Sequence, residues 1–440
     1  MSSILQEGIY YQEHTTPGKF FCLLFLKANE TLDATEIGDC FARLWDMYLN
    51  LKKGIVGDLP GHKMLGSSEI PGHGNLTVLV GYGRNIFKEN YIKGIKKEIP
   101  SDYKNFKFKE PSSAGGGKIL DTAGLSYSSD IDKNYATEDI VIQFIADTQL
   151  AVNRCILETW KFLFDENKKT NKSSIFLLHS FSGFQREDRR SMLDFHDGLS
   201  NMPSGKVESG PGQSPRYPRY DAIRIKEQPI EEDKWTQNGT YLAFLRIAVD
   251  LGIWRKIPSS TQEIIIGRDK LSGCPIVDID SNGNPIPISG CPIEGTIEVI
   301  EKGNEKFHNF ERTDIKPKLE TSHIMRANFN RAENTSDPST LRIFRQGYEF
   351  FEQIKEFPCF RWGLNFVSFQ DEPSRLFRML RQPGWLGNTN FGGNPNSPDA
   401  SGSVLPIEGM DKLLSVRAAG IYLVPPLDSK EKFPGYSIFF

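Results

Sequence analysis

Three side chains of different chemistry stand inside apolar stretches of this sequence. Asp197 lies in the run FHDG, His323 in SHIMRAN and Arg345 in FRQGY. An imidazole is a common axial ligand of haem iron. A carboxylate can carry a proton between reacting atoms, and a guanidinium can stabilise negative charge that develops on them. These are the protein groups needed to hold haem iron and to cleave a peroxide on it.

Each of these residues also has an ordinary interpretation. Asp-Gly is among the commonest turn signals, so Asp197 alone would indicate a turn. His323 is one of seven histidines, and a single histidine is more often a surface residue than a metal ligand. Arg345 alone would be read as a surface charge. The functional interpretation therefore depends on the segments taken together.

In order and surroundings, these segments resemble the haem-binding half of the dye-decolourising peroxidases. FHDG is similar to the end of the family motif GxxDG, with Asp194 at the place of the first glycine. SHIMRAN is similar to HIRRxN, and FRQGY to LRRGY. Further similar stretches are residues 75–78 (NLTV), 239–242 (GTYL), 267–273 (GRDKLSG) and 363–366 (GLNF).

The resemblance implies a haem b cofactor whose iron is held on the proximal side by His323. Arg326, three residues further on, would then pair with a haem propionate. The family also places a carboxylate near the C-terminus, where it accepts a hydrogen bond from the proximal imidazole and raises its basicity. Asp411 is the candidate for this second-shell acceptor, and Glu408 is the nearby alternative.

The resemblance also implies a peroxidase that uses hydrogen peroxide to oxidise bulky phenolic or dye-like donors such as anthraquinones. Asp197 would be the proton shuttle and Arg345 the stabiliser of charge on the distal side, while Leu364 and Phe366 would cover the same cavity. An Asp has an ordinary pKa of about 3.9, and a nearby Arg favours its charged form. We therefore expect dye oxidation to be fastest at acidic pH.

Large donors cannot reach a haem enclosed by Leu364 and Phe366, so electrons are expected to travel from donors through aromatic side chains at the surface. Tyr348 and Trp362 are the candidates nearest in sequence, and neither is assigned as a radical site. Two other functions stay open at this point. The same pocket could bind haem for transfer or iron release with little peroxidase turnover, or the fold could be a ferredoxin-like scaffold that never binds haem.

The alternation of apolar patterns predicts an α+β fold. Residues 19–26, 76–82 and 139–146 read as strands, and an apolar stripe between residues 37 and 49 indicates a helix. A second helix is expected at about residues 148–164, with an apolar stripe formed by Val152, Ile156, Trp160 and Leu163. A similar order recurs in the second half of the chain. We expect tandem ferredoxin-like βαβ repeats that form a dimeric α+β barrel type of architecture, with one domain over residues 1–190 and a haem-binding domain over 191–440.

Composition narrows the class of partner. The chain has 440 residues, with 53 Lys plus Arg against 56 Asp plus Glu, so it has no positive excess with which to bind a nucleic acid backbone. No apolar run approaches the roughly 20 residues that span a bilayer, so no membrane contact is expected. The N-terminal residues do not read as a secretory signal, which predicts a cytoplasmic protein. A homo-oligomer is one of the assemblies left open.

The six cysteines are widely scattered and form no CxxC pair. This spacing gives no support to a zinc site or a redox motif. We therefore expect them to be buried or idle thiols in a reducing compartment.

Overall fold

The computed structural model describes residues 4–11, 17–57, 74–106, 126–127, 138–196, 218–289, 319, 322–324, 343–355, 357–376 and 413–440. Within these residues the chain forms an α+β fold. Its strands are β1 (Phe20–Ala28), β2 (Thr77–Tyr82), β3 (Ser126–Tyr127), β4 (Ile140–Ala146), β5 (Ile175–Phe184), β6 (Thr240–Val249), β7 (Ile276–Ile279), β8 (Pro285–Pro287), β9 (Phe344–Gln353), β10 (Phe360–Gln370) and β11 (Leu414–Val424). Its helices are α1 (Ala34–Lys52), α2 (Ser101–Asn105), α3 (Gln149–Thr170), α4 (Pro218–Ile223), α5 (Leu251–Lys256) and α6 (Ser259–Ile266).

The main sheet is antiparallel and closes on itself. Its strand order is β2-β4-β1-β5-β9-β10-β6-β11-β3, and Leu423 of β11 also pairs with Tyr82 of β2. When the four long strands of each half are numbered along the chain, both halves have the spatial order 2-3-1-4. This repeat confirms the expected tandem ferredoxin-like architecture. The predicted domain boundary at residue 190 stays a prediction.

The inside of the barrel is filled by apolar side chains from both halves. Phe25 of β1 lies within 6.2 Å, between ring centroids, of Phe244 and Tyr422 in the second half. Alternate residues of β1 point the other way, into a second cluster formed with α1 and α3. β1 is therefore buried on both faces, which explains why its sequence is a continuous apolar run rather than an alternating one.

A buried arginine inside the barrel fixes the alignment of β6, β9 and β10. The Arg246 guanidinium donates to Asn365 Oδ1 at 2.6 Å and to Glu352 Oε2 at 2.7 Å. It also lies 3.5 Å from the ring centroid of Phe350. A buried charge needs such partners because its desolvation is costly. These contacts hold the register of the strands that carry the candidate site on their outer face.

Two helices of the first half, α1 and α3, cover the outer face of β1 and its neighbours. α1 begins with a capping box in which Asp33 accepts from the Glu36 N–H at 2.9 Å. α3 begins after Thr148, whose hydroxyl accepts from the Ala151 N–H at 3.1 Å. The expected buried stripe of α3, which included Trp160, is wrong at that residue, because Trp160 is 52% exposed.

The outer face of the second half carries two apolar clusters. The Tyr241 cluster contains Tyr103, Ile225, Tyr241, Ala243, Leu245, Ile343, Leu376, Ala419, Ile421 and Leu423. The Trp362 cluster contains Leu193, Phe195, Trp254, Ile257, Ile265, Ile266, Trp362 and Leu413. β10 runs from one cluster to the other, so the surface between them is available for a site.

The cysteines depart from expectation at one position. Cys22, Cys40 and Cys155 are buried free thiols and Cys359 is an exposed one. Cys274, however, is disulfide-bonded, so the expectation of thiols only is wrong there. Because disulfides are rare in reducing compartments, this bond removes one argument for a cytoplasmic location. None of the helices in the described ranges combines the length and the apolar character needed to cross a bilayer.

Candidate active site

Three of the residues singled out in the sequence lie on one face of neighbouring strands. Arg345 is on β9, and Leu364 and Phe366 are on β10. Residues directly opposite each other in an antiparallel pair point to the same face. The register pairs Arg345 with Ser368, Gly347 with Phe366, and Glu349 with Leu364. The structure therefore brings together the arginine and the two apolar residues of the predicted cavity.

This face is only half-buried between the two apolar clusters. Trp362 is buried in the Trp362 cluster, and Phe366 packs against the Tyr241 cluster. Leu364, between them on the same side of β10, is half-buried, as is Ile247 opposite it on β6. Gly347 places no side chain beside Phe366. Within the described part of the chain, the result is an apolar surface that is half-buried at its centre, with the half-buried Arg345 along one side.

The segment that leads to Asp197 is a tight hairpin fixed to β9. Arg190 and His196 form a backbone bridge, and the Ser191 N–H donates to the Phe195 carbonyl at 2.8 Å. The buried carboxylate of Glu349 accepts a hydrogen bond from the Met192 N–H. Since Glu349 is four residues from Arg345 on the same strand face, β9 positions both the arginine and this hairpin.

A second contact fixes the same hairpin to the loop after α6. The Arg190 guanidinium donates to the carbonyls of Lys270 and Leu271 at 2.5 and 3.0 Å. The Lys270 ammonium lies 5.3 Å from the ring centroid of Phe195. The stretch 267–273, noted in the sequence only as a family-like motif, is thus a support for the hairpin.

The hairpin ends at a half-buried histidine. Burial lowers the pKa of His196, and the positive charge of Arg190 lowers it further. Its Nδ1 is buried and has no hydrogen-bond partner. Both effects disfavour a positive charge on the residue that directly precedes Asp197 in the sequence.

His323 lies on a separate short helical segment that rests against the end of α6. It is half-buried between the buried residues Ser322 and Ile324. Gly267 ends α6 with a φ of +86°, and a Cβ at this position would lie 2.6 Å from Ile324 Cγ1 and 2.7 Å from Ser322 Oγ. Only glycine combines this backbone conformation with so close an approach.

The remaining predicted site residues, Asp197, Arg326 and Asp411, lie outside the described residues, as does Glu408. The two candidates for electron entry are described and are both buried. Tyr348 points into the barrel, stacks on Phe21 at 4.6 Å and donates to the Gly18 carbonyl. Trp362 is 3% exposed. Neither is therefore a surface aromatic residue, and the expectation that they meet donors is wrong.

Sequence reasoning missed Glu349 and Arg190 as supports of the site. Both act through backbone atoms that are distant in sequence, Met192 for the first and Lys270 for the second. The one available signal was the charge of Glu349 inside the apolar run of β9. A charged residue that is buried usually has a specific partner.

The described residues fit a haem. Ligand pockets are mostly apolar with a few placed polar groups, and the surface around Leu364 and Phe366 has this character. Gly347 adds no side chain to the face opposite Phe366. Among the described residues Ser322 Oγ, next to His323, is buried without a hydrogen-bond partner, as is His196 Nδ1. His323 supplies the type of ligand that haem iron takes from proteins.

A family model described as "Dyp-type peroxidase, C-terminal" matches residues 188–390. Curated relatives include a deferrochelatase of Shigella flexneri, 23% identical over 309 residues, and one of Escherichia coli strain K12, 22% identical over 309 residues. In both cases the match covers 70% of this chain. The chain spans 60% of the length of these relatives.

Solved structures share the fold over nearly the whole chain. A DyP-type peroxidase from Cellulomonas bogoriensis has a TM-score of 0.59 at 18% identity and covers 99% of this chain and 96% of its own. Ferric DtpA from Streptomyces lividans has a TM-score of 0.62 at 18% identity, covering 99% of this chain and 98% of its own. At these identities the likeness supports the fold.

Proposed function

We propose that this chain, whose residues 188–390 match the C-terminal family model of the DyP-type peroxidases, is a haem peroxidase that oxidises bulky phenolic or dye-like compounds with hydrogen peroxide. One structural observation supports this most strongly. Arg345, Leu364 and Phe366 share a half-buried face of β9 and β10 that lies open between two apolar clusters. A guanidinium beside an apolar surface is suited to stabilising the negative charge that develops on an oxygen as the O–O bond of a peroxide breaks.

In this proposal His323 holds the iron, Arg326 pairs with a propionate, and Asp411 accepts a hydrogen bond from His323. Leu364 and Phe366 exclude water from the opposite side. When bound, haem b supplies the redox-active iron at which peroxide is reduced to water. The protein's part is to orient this group and to place a proton carrier and a cation beside the peroxide.

Asp197 moves a proton from one oxygen of the peroxide to the other, so that a water molecule can leave. Arg345 stabilises the negative charge that grows on the departing oxygen while the O–O bond breaks. Glu349 and Arg190 hold the hairpin in place, and the hairpin restricts the position of the chain directly before Asp197. A proton carrier works best at a pH near its own pKa, and an Asp beside an Arg is expected to have a pKa of about 3.9 or lower. The dye-oxidation rate is therefore expected to peak at acidic pH, and a pH–rate profile peaking above neutrality would contradict this.

The first experiment is an absorption spectrum of the protein as expressed. A Soret band that is lost in His323→Ala supports haem ligation by that residue, while a purified protein without the band in any preparation would favour a scaffold that never binds haem. Next, Asp197→Ala and Arg345→Leu should each keep the Soret band and lose most of the anthraquinone-dye oxidation. Loss of the band in both variants would instead indicate a structural role.

Because some relatives are named deferrochelatase, release of iron from haem is the specific alternative to peroxidase activity. It predicts a different product from haem: free porphyrin, which fluoresces, together with iron. If the protein yields porphyrin and shows no steady dye turnover with peroxide, the peroxidase proposal fails. If it turns over dye while the haem stays intact, iron release is excluded as the main activity. The cytoplasmic location and the homo-oligomer remain proposals beside it.

A further inference from the structure

Helix α3 presents an apolar stripe to solvent on the side turned away from the barrel. Leu150, Leu157 and Phe164 recur every seven residues, and Trp160 follows Leu157 by three. Their exposed fractions are 48%, 44%, 45% and 52% in the order Leu150, Leu157, Phe164, Trp160. Exposed aromatic and leucine side chains in one contiguous patch are a typical mark of an interaction surface.

The stripe has the spacing of a helix-pairing seam. Alternating steps of three and four residues keep side chains facing a partner helix along its whole length. The Trp160 and Phe164 rings stack at 5.4 Å, with 20° between their planes, so the two largest residues already form one surface. The seam extends over about four turns, from Leu150 to Phe164, with the exposed Asn153 in place of an apolar residue between Leu150 and Leu157.

A row of cations runs along one edge of this stripe at the same spacing. Arg154, Lys161 and Lys168 are each separated by seven residues. Lys168 lies over the Phe164 ring, 4.3 Å from its centroid. Arg154 and Lys161 both contact Glu158 at 3.3 Å, so a single internal carboxylate faces two cations. Asp165, four residues after Lys161 and three before Lys168, lies on the same side of the helix. With three cations and the two carboxylates of Glu158 and Asp165, the edge keeps a net charge of +1.

We propose that this face of α3 binds an amphipathic helix with an acidic edge, supplied by another protein. The seam would take the partner's apolar residues, and the cationic row would pair with its Glu or Asp residues. In a coiled-coil arrangement, residues beside the seam select the partner through charge.

The charges argue against a second copy of this chain as the occupant. In an antiparallel pair of α3 helices the cationic rows would face each other. In a parallel pair they would face the other edge of the seam, where Ile156 and Leu163 supply no carboxylate. A flat lipid surface would need cations but no seven-residue register. The apolar stripe and the row of cations share a spacing of seven residues, and this observation favours a helix as the partner.

The test uses two synthetic helical peptides that share a leucine seam, one with Glu and the other with Lys at the edge positions. The purified full-length protein should bind the Glu peptide and not the Lys peptide. Replacing Lys161 and Lys168 by Glu should weaken Glu-peptide binding roughly tenfold, or about 1.4 kcal/mol, and should create binding of the Lys peptide. This reversal needs no assumption about folding, since a misfolded variant would not gain a ligand.

Leu157→Ser with Trp160→Ser should abolish peptide binding and leave dye oxidation unchanged, because both side chains are exposed on the side of α3 that does not pack on β1, β4 and β5. Three outcomes would overturn the proposal: no binding of the Glu peptide, a dimer that dissociates in the serine variant, or binding to anionic vesicles that the serine variant loses. The second would assign the face to another copy of the chain and the third to a lipid surface.

Discussion

The carboxylate of Glu349 on β9 accepts a hydrogen bond from the backbone N–H of Met192, five residues before Asp197. Glu349 is 7% exposed, so this contact is made away from water. A buried donor that loses its acceptor costs about 1–3 kcal/mol. The strand that carries Arg345 thus also controls the hairpin that precedes the proposed proton carrier.

Glu349→Ala should therefore lower dye oxidation while haem stays bound. We expect a several-fold loss in kcat with an unchanged Soret band, because the hairpin is loosened but His323 is not touched. Glu349→Gln retains an oxygen acceptor for Met192 and should keep most of the rate. Hydrogen exchange at the Met192 amide distinguishes this role, since it should accelerate in the Ala variant only. Equal rates of hydrogen exchange at the Met192 amide in the Ala and Gln variants would show that the contact does not position the hairpin.

Gly267→Ala tests the support beneath His323. The substitution places a methyl group against Ile324 and Ser322 in a backbone conformation with positive φ, which costs about 1–3 kcal/mol. We expect a lower haem content per protein and a lower melting temperature. Gly283→Ala is the matched control, because Gly283 has a φ of +85° and nothing lies within 4 Å of its added Cβ. A similar haem content in both variants would count against a role for Gly267 at His323.

Gly347→Val tests the open centre of the face. Valine suits a strand better than glycine, which costs roughly 0.5–1 kcal/mol in such a position, so the apo protein should be as stable as the wild type or slightly more stable. Its side chain would stand beside Phe366, where the ring of the haem is proposed to lie. Haem titration should show at least a tenfold loss of affinity. Unchanged affinity would place the haem elsewhere.

Asp139→Asn tests a pH effect that is independent of catalysis. Burial raises the pKa of Asp139 from its ordinary value near 3.8 to about 7. The folded protein therefore binds more protons than the unfolded chain in this window, and the free energy of unfolding should fall as pH rises from about 4 to 7. Asn can still accept from the Ala28 N–H and the Tyr91 hydroxyl, which lie 2.9 and 3.0 Å from Asp139.

Urea unfolding at pH 5 and pH 8 measures this difference. The free energy of unfolding of the wild type should fall between pH 5 and pH 8. The contribution of Asp139 to this fall should be absent in the Asn variant. At pH 8 the variant should be more stable by ~2–4 kcal/mol. Parallel profiles for the two proteins would mean that Asp139 titrates as an ordinary exposed carboxyl group does.

The sequence was sufficient for the elements whose apolar pattern is continuous or strictly periodic. The run at residues 19–26 became β1, and the stripe between residues 37 and 49 became the buried side of α1 except at Leu49, which is 37% exposed. The stripe proposed for α3 failed because steps of four residues advance about 40° around a helix. Trp160 consequently lies about 80° from Val152 and reaches solvent.

Other elements could not be found from the local pattern. β9 mixes Arg345, Gln346 and Glu349 with aromatic residues, and its polar groups are explained by contacts with residues far away in the chain. α6 is a helix of about two turns and is rich in isoleucine, which has low helix propensity. The two apolar clusters that flank the site draw on distant segments, and a single sequence does not show which of these meet.

The pairing of Leu423 with Tyr82 determines how the chain can be divided. Because the strands form a closed ring, a fragment that ends after β5 would leave β2 and β5 as unpaired edge strands. Each of these edges could pair with another chain and cause misassembly. The other half of the chain carries β11 and β9, the strands that pair with β2 and β5 in the closed sheet. Two co-expressed pieces should therefore complement each other, whereas either piece made on its own should aggregate.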